Sequence, residues 1–191
     1  DRALNVLMKK GDDISEEAYE AAMIAILCHD LGHGPFSHSL EYIISGEVSH
    51  EDLSLVIMKE LDNKYGGRLS MAIDMFMGHY GRQFFNDLIS SQVDMDRMDY
   101  LLRDSFYTGV IEGSVGSDRI ISMLNIHNER LVIEEKGIYS IEKFLIARRF
   151  MYWQVYMHKT VLAADQMLKR IVRRARHLTG SGSGVHSTVP V

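Results

Sequence analysis

The chain has 191 residues, of which 46% are hydrophobic, and it carries a formal net charge of −5. This length accommodates one domain with a sizeable core, and the acidic balance gives no reason to expect general or direct nucleic-acid binding. The longest apolar run, residues 21–28, is shorter than the roughly 20 residues that a membrane span needs, while the single cysteine, Cys28, excludes an internal disulfide and fits a cytoplasmic location.

The first two thirds of the chain predict a series of helices. Ser15 is placed to cap a helix at 15–30, whose residues 21–28 are apolar on every face. This pattern predicts that the second half of the helix is buried and carries His29 and Asp30 into the interior. Further helices are predicted at 1–10, at 36–44, from Ser49 to about 61, and at 69–77, 84–89, 92–104 and 115–124.

The last third of the chain changes character at residue 125. Apolar residues there alternate with charged ones around the turn-like pair Asn128-Glu129, which predicts a small β-hairpin near 125–138. Residues 140–177 then return to the spacing of one long helix. The sequence therefore predicts an all-α fold with a hairpin insertion, as one domain over 1–177, followed by a flexible or appended Gly/Ser-rich tail over 178–191.

One stretch concentrates the side chains that carry chemistry. His29 and Asp30 offer a nitrogen and an oxygen ligand, a pair that suits Mn, Fe, Zn, Ni or hydrated Mg. Asp96 is an attractive third ligand, although a solvated acidic helix face explains it equally well. His38 and Glu41 are spaced so that the carboxylate can orient the imidazole, a spacing also common on surfaces. The stretch reads Cys28-His29-Asp30-Leu31-Gly32-His33-Gly34-Pro35-Phe36-Ser37-His38, followed by Glu41.

This motif resembles the HD-domain phosphohydrolase superfamily, whose pattern is His, then His-Asp, then Asp. The run His-Asp-Leu-Gly-His-Gly-Pro-Phe-Ser-His is similar to the deoxynucleoside triphosphate triphosphohydrolase branch in particular. The resemblance covers nearly all of residues 1–175, and it continues in Ser49-His50-Glu51, in 92–104, in the hairpin, and in Arg148 with Tyr156-Met157-His158-Lys159. It implies an HD-domain helical bundle that hydrolyses a dNTP to a deoxynucleoside and inorganic triphosphate, using a divalent metal ion (Mn, Mg, Fe, Zn or Ni).

The resemblance also implies roles for individual residues. The implied metal ligands are His29, Asp30 and Asp96. The implied catalytic residues are His33 and His50, which meet the triphosphate, and the pair His38 and Glu41, which protonates the leaving sugar oxygen. The implied substrate-binding residues are Arg97 and Arg148 at the phosphates, and Tyr100, Asp104 and Tyr156 around the deoxyribose.

Two expectations limit this interpretation. The family's first metal-binding histidine lies upstream of the helix that begins here at Asp1, so we expect an N-terminally truncated chain that binds metal poorly and is inactive alone. Two other functions stay open: an HD phosphohydrolase acting on a monophosphate, a cyclic nucleotide or an alarmone, and a nucleotide-sensing module without turnover, which the basic cluster at 169–176 favours. The partners implied are a deoxynucleotide substrate, a nucleotide effector and further copies of the chain, with no membrane.

Overall fold

The computed structural model describes residues 1–44 and 46–180, which form ten α-helices and one β-hairpin. The all-α fold with a hairpin insertion is therefore confirmed. No helix within the described ranges is both long and apolar enough to cross a bilayer. Of the tail predicted at 178–191, residues 178–180 end the last helix and the remainder lies outside the described residues. The elements are α1 (Arg2–Lys9), α2 (Glu16–Cys28), α3 (Glu41–Ile44), α4 (His50–Lys64), α5 (Ser70–Phe76), α6 (Phe84–Ile89), α7 (Met95–Thr108), α8 (Ser117–Ser122), β1 (Leu124–His127), β2 (Arg130–Ile133), α9 (Ile138–Met151) and α10 (Lys159–Gly180).

The hairpin forms where the sequence places it. Asn128 and Glu129 both have positive φ, of 50° and 58°, as a two-residue turn that matches the twist of its strands requires. Asp87 on α6 then anchors the hairpin, since its buried carboxylate accepts two hydrogen bonds from the Arg130 guanidinium and one from the backbone N–H of Leu131. The hairpin is thus fixed to the helical core rather than projecting from it.

Helix α2 packs against α5 through small side chains rather than large ones. Its buried face contains Ala18, Ala21, Ala22 and Ala25, whereas Leu27 is 79% exposed. The prediction that the second half of this helix is buried and carries His29 and Asp30 into the interior is wrong for Leu27 and for Asp30, whose side chain is 51% exposed. A helix lying on one side of a core needs only one apolar face inside. The largest fully buried side chains belong to Leu7, Met58, Met75, Phe84, Phe85, Leu101, Ile120, Leu124, Phe144 and Met151.

The long helix predicted at 140–177 is divided in two. Helix α9 widens into a π-helical turn at Tyr152–Tyr156 and ends there, and α10 begins at Lys159. The Tyr156 hydroxyl donates to the Asp104 carboxylate on α7 at 2.6 Å, a tertiary contact that apolar spacing along the chain does not encode. Wide turns of this kind often occur at functional sites.

Glu134 joins the hairpin to the first helix, and this contact predicts a pH-dependent stability. Its carboxylate accepts from Lys10 and Lys136, and these two bonds hold its pKa at about 2. Because that pKa lies below the ordinary 4.5, the ionised carboxylate stabilises the fold above about pH 4.5, and this contribution is lost as the pH falls towards about 2. We expect Glu134→Gln to lower the thermal midpoint at pH 7, and the difference from wild type to shrink between pH 5 and pH 3.

The neighbouring residue supplies the control for this measurement. Glu135 is exposed, so Glu135→Gln removes the same charge from the same turn without breaking the contacts that Glu134 makes. Equal midpoints for wild type and Glu134→Gln at pH 7 would contradict the assignment. So would a difference that does not change with pH.

Candidate functional site

The three metal ligands implied by the sequence converge in the fold. His29 follows the last residue of α2, Asp30 follows it directly, and Asp96 lies in the first turn of α7. One ligand atom from each lies within 4.8 Å of the others, and His29 Nε2 is 3.3 Å from Asp30 Oδ1 and 3.8 Å from Asp96 Oδ1. This cluster of one imidazole and two carboxylates could hold a divalent cation.

The hydrogen bonds of His29 fit a metal ligand. Its Nδ1 lies 2.6 Å from the carbonyl oxygen of Ile26, and because a carbonyl only accepts, Nδ1 carries the proton of the neutral ring. The lone pair therefore lies on Nε2, which is buried and has no hydrogen-bond partner. A nitrogen held in this tautomer and facing two carboxylates is what a bound cation requires.

The burial of Asp96 raises the pKa of its carboxyl, although the nearby His29 opposes the shift. Burial has this effect because it disfavours the charged form of a carboxylic acid. The side chain of Asp96 is still 37% exposed, so the fold removes only part of the water around this carboxylate. A cation bound between His29 and Asp96 would relieve this electrostatic cost.

A buried serine fixes the turn that carries the first histidine. Ser54, on α4, donates to the carbonyl oxygen of His29 at 2.7 Å and accepts from the backbone N–H of Gly32 at 2.8 Å. Gly32 lies so close to α4 that an added Cβ would be 2.0 Å from the carbonyl oxygen of His50. The Ser54 hydroxyl therefore holds the turn at 29–33 against α4, and the lack of a side chain at Gly32 allows this close approach.

The predicted catalytic histidines form a second group next to the first. The rings of His33 and His50 are stacked with centroids 4.0 Å apart, and the ring of His38 meets both of them edge-on. Burial and the neighbouring His50 lower the pKa of His33. His33 Nε2 lies 3.6 Å from Asp30 Oδ1, so the two groups are adjacent.

Glu41 serves two histidines rather than the one expected from the spacing of His38 and Glu41. One carboxylate oxygen accepts from the backbone N–H of His50 at 2.7 Å and lies 2.8 Å from its Nδ1, and the other lies 3.4 Å from Nδ1 of His38. The bond from the His50 backbone, followed by the one from its ring, holds the pKa of Glu41 at about 2. A permanently ionised carboxylate therefore orients both rings.

The residues predicted to surround a deoxyribose also come together. Tyr156 approaches Tyr100 on α7 with ring centroids 6.1 Å apart, in addition to its bond to Asp104. Burial raises the pKa of both hydroxyls, and Asp104 raises that of Tyr156 further. Tyr100 lies one helical turn after Asp96 on α7, so this cluster is close to the candidate metal ligands.

The two predicted phosphate-binding arginines differ in their surroundings. Arg148 donates to the side-chain oxygen of Gln92 at 3.0 Å and is held just before α7. The Arg97 guanidinium instead bonds to the Asp94 carboxylate and, at 2.6 Å, to the Ser91 carbonyl oxygen. Asp94 is buried and caps α7, so it belongs to the helix end rather than to the candidate site.

A mainly apolar cavity of about 320 Å³ opens beside the candidate metal ligands. His29 and Asp96 lie on one wall, and side chains from α1 and α6, including Leu4, Phe85 and Leu88, form the others. His33, His38 and His50 do not line this cavity.

Two family profiles match this chain. The profile described as HD domain matches residues 2–104, which contain the candidate metal ligands and the three predicted catalytic histidines. The chain belongs to the HD-domain family. The profile described as HD associated region matches residues 115–183, which contain Arg148 and Tyr156.

Several relatives share most of this HD domain. A crystal structure of a phosphohydrolase from Bacteroides thetaiotaomicron superposes with a TM-score of 0.94 at 52% identity, covering 98% of this chain and 46% of that one. The uncharacterized protein YwfO of Bacillus subtilis is 35% identical over 188 residues, which cover 95% of this chain and 43% of YwfO. A Dictyostelium discoideum homologue of the deoxynucleoside triphosphate triphosphohydrolase SAMHD1 is 29% identical, covering 82% and 34%. The chain spans less than half the length of all three.

Sequence reasoning missed two residues that shape the HD-domain site. Ser54 holds the turn at 29–33. The sequence feature that could have identified it is a serine among the apolar residues of α4. Gln92 accepts a hydrogen bond from Arg148, and no role within the range 92–104 was predicted for it from the sequence. Of the histidines left out of the predicted site, His79, His127 and His177 are all exposed and stand outside both groups.

Proposed function

We propose that the protein to which this HD domain belongs hydrolyses a dNTP to a deoxynucleoside and inorganic triphosphate. The observation that carries the proposal is the adjacency of two different groups: a cation-binding set of mixed nitrogen and oxygen ligands, and a set of imidazoles that can face phosphate. Asp30 and His33, 3.6 Å apart, connect them. The distant SAMHD1 homologue named above supports the choice of substrate, and the domain responsible is the one predicted over 1–177.

His29, Asp30 and Asp96 would hold the metal ion. When bound, a divalent ion supplies Lewis acidity to a phosphoryl oxygen and lowers the pKa of a water molecule. The protein's own side chains bind the triphosphate and stabilise its charge. His33 and His50 bind the phosphate oxygens, and Arg148 neutralises charge that grows on them as the reaction proceeds.

The leaving group needs a proton, and His38 is placed to provide it. The bond between the α-phosphorus and the 5′-oxygen breaks, and a hydroxyl group from water is added to the phosphorus. The 5′-oxygen takes a proton from His38, the remaining proton of the water passes to the solvent, and His38 regains a proton from the solvent. Glu41 is a positioning residue in this step, since its ionised carboxylate orients the His38 and His50 rings.

The cluster of Tyr100, Asp104 and Tyr156 binds the deoxyribose in this proposal. Tyr100 lies against the deoxyribose, where a 2′-hydroxyl would be hard to fit, and Asp104 accepts from the 3′-hydroxyl while Tyr156 holds its carboxylate in place. A nucleotide effector and a homo-oligomeric assembly stay predictions of the resemblance.

The experiment is a product analysis with the full-length protein, several dNTPs and Mn²⁺ or Mg²⁺ in water enriched in oxygen-18. We expect deoxynucleoside and triphosphate in equal amounts, with the heavy oxygen in the triphosphate. Release of orthophosphate or pyrophosphate without triphosphate rejects the proposal. Turnover of a monophosphate, a cyclic nucleotide or an alarmone in place of dNTPs favours an HD phosphohydrolase with a different substrate. Nucleotide binding without products favours a nucleotide-sensing module.

A further inference from the structure

The three histidines of the second group also have the arrangement of a metal site of their own. One ring nitrogen from each of His33, His38 and His50 lies within 4.8 Å of the others. We propose that this group, called here the histidine triad, binds a Zn²⁺ ion separately from the set formed by His29, Asp30 and Asp96.

The chemistry of the donors distinguishes the two sites. The triad offers imidazole nitrogens only, which suit Zn²⁺ and are poor ligands for Mg²⁺ or Mn²⁺. The neighbouring set contains two carboxylates, which bind hard cations well. The triad therefore favours Zn²⁺ over Mg²⁺ and Mn²⁺, whereas the neighbouring set can bind all three ions.

Glu41 gives the triad the outer partner that zinc-binding histidines usually have. Its carboxylate faces Nδ1 of His50 at 2.8 Å and Nδ1 of His38 at 3.4 Å. Since an ionised carboxylate only accepts, both Nδ1 atoms carry protons, and in the neutral form of each ring Nε2 presents a lone pair. A carboxylate that fixes the tautomer of a ligating histidine in this way also raises the basicity of the ligand.

His33 supplies a nitrogen that lacks a partner. Its Nδ1 is buried and makes no hydrogen bond among the described residues, although most buried polar atoms are paired. The His33 ring lies against both other members of the triad, 4.0 Å from the His50 centroid and 4.6 Å from the His38 centroid. A cation shared by the three rings would satisfy this atom.

The geometry needs only a local adjustment. Zinc–nitrogen bonds of about 2.0–2.1 Å in a tetrahedron place ligand nitrogens about 3.3 Å apart. His38 has a side chain that is 72% exposed and can rotate inward. The planes of His33 and His50 are only 11° apart, so their in-plane lone pairs run nearly parallel, and one of these two rings must also turn before both can bind the same ion.

Zinc bound at the triad would inhibit hydrolysis. This consequence rests on the proposed function, in which the same three side chains bind phosphate and donate the proton. At constant Mn²⁺ we expect added Zn²⁺ to lower the hydrolysis rate at least about tenfold, and an excess of Mn²⁺ not to restore it.

The test counts Zn²⁺ and needs no substrate. The full-length Asp96→Asn protein, in which the neighbouring set is impaired, is dialysed against buffered Zn²⁺ and its bound zinc is measured by atomic emission. We expect His38→Gln added to this background to remove one equivalent at Zn²⁺ levels that saturate the parent. Glu41→Gln should weaken the same equivalent by about 10–100-fold, the usual cost of losing an outer partner.

His127→Gln is the matched control, because His127 is an exposed histidine on the hairpin and should change nothing. The proposal is overturned if the His38→Gln protein keeps the parent's zinc count and affinity, or if the parent binds no equivalent that a triad variant loses. His50→Gln is the second triad variant, and circular dichroism confirms that each variant is folded. Absent dNTP hydrolysis with an intact zinc count would defeat the proposed function and leave the triad site standing.

Discussion

Asp96→Asn is expected to abolish most of the metal-dependent hydrolysis by the full-length protein. The amide keeps the shape of the side chain but offers a neutral oxygen in place of a carboxylate, so the site loses one of its charged ligands. Loss of an outer partner alone costs about 10–100-fold in metal affinity or activity, and a direct ligand should cost at least about 100-fold. The measurements are metal content after dialysis and the rate of triphosphate release.

A fall in activity through unfolding can be separated from this effect. Burial already raises the pKa of Asp96, so removal of its charge should leave the metal-free protein at least as stable as wild type. Asp118→Asn is the control, because Asp118 also lies in the first turn of a helix but is exposed and forms a surface ion pair with Arg2. Retention of metal and of full activity by Asp96→Asn would remove this residue from the site.

Gly32→Ala is expected to be the most destabilising single methyl addition at the site. The new Cβ would lie 2.0 Å from the carbonyl oxygen of His50 and 2.5 Å from the amide nitrogen of Ser54. Both are backbone atoms of α4, so the contact can be relieved only by moving the turn away from the helix. Overpacking of this kind costs at least about 2 kcal/mol, and the thermal midpoint should fall by at least about 4 °C.

The same substitution should also reduce activity in the folded protein, because it separates His29 from the hydroxyl of Ser54. Gly34→Ala is the matched control two residues later, where an added Cβ meets nothing within 4 Å. The comparison is made by thermal unfolding and by hydrolysis rate at a temperature where both variants are folded. Equal midpoints for the two variants would show that the turn does not depend on close contact with α4.

Features encoded by neighbouring residues were predictable from the sequence. Ser15 accepts from the backbone N–H of Ala18 at 3.2 Å, and Ser49 forms a reciprocal capping box with Asp52, so both helix starts lie where expected. The turn at 128–129 is likewise local. In each case the deciding interaction spans three residues or fewer, and the sequence displays it directly.

Features that depend on distant parts of the chain were not predictable in this way. Spacing alone left Asp96 undecided between a metal ligand and a solvated face, and only the fold brings it to His29. Spacing paired Glu41 with His38 but not with His50, which approaches it across the loop that follows α3. Similarly, periodicity extended α9 too far, because the helix ends in the π-helical turn whose Tyr156 bonds to Asp104 on α7.

If the site binds a metal ion as proposed, the buried Nε2 of His29 would tie the supply of that metal to the amount of folded protein. A buried nitrogen without a partner raises the free energy of the native state by about 1–3 kcal/mol. A cation that binds only the folded chain lowers that free energy, by about 2.7 kcal/mol at a concentration 100 times its dissociation constant. Scarcity of the ion would therefore lower abundance as well as rate, since unfolded chains are the ones that proteases remove.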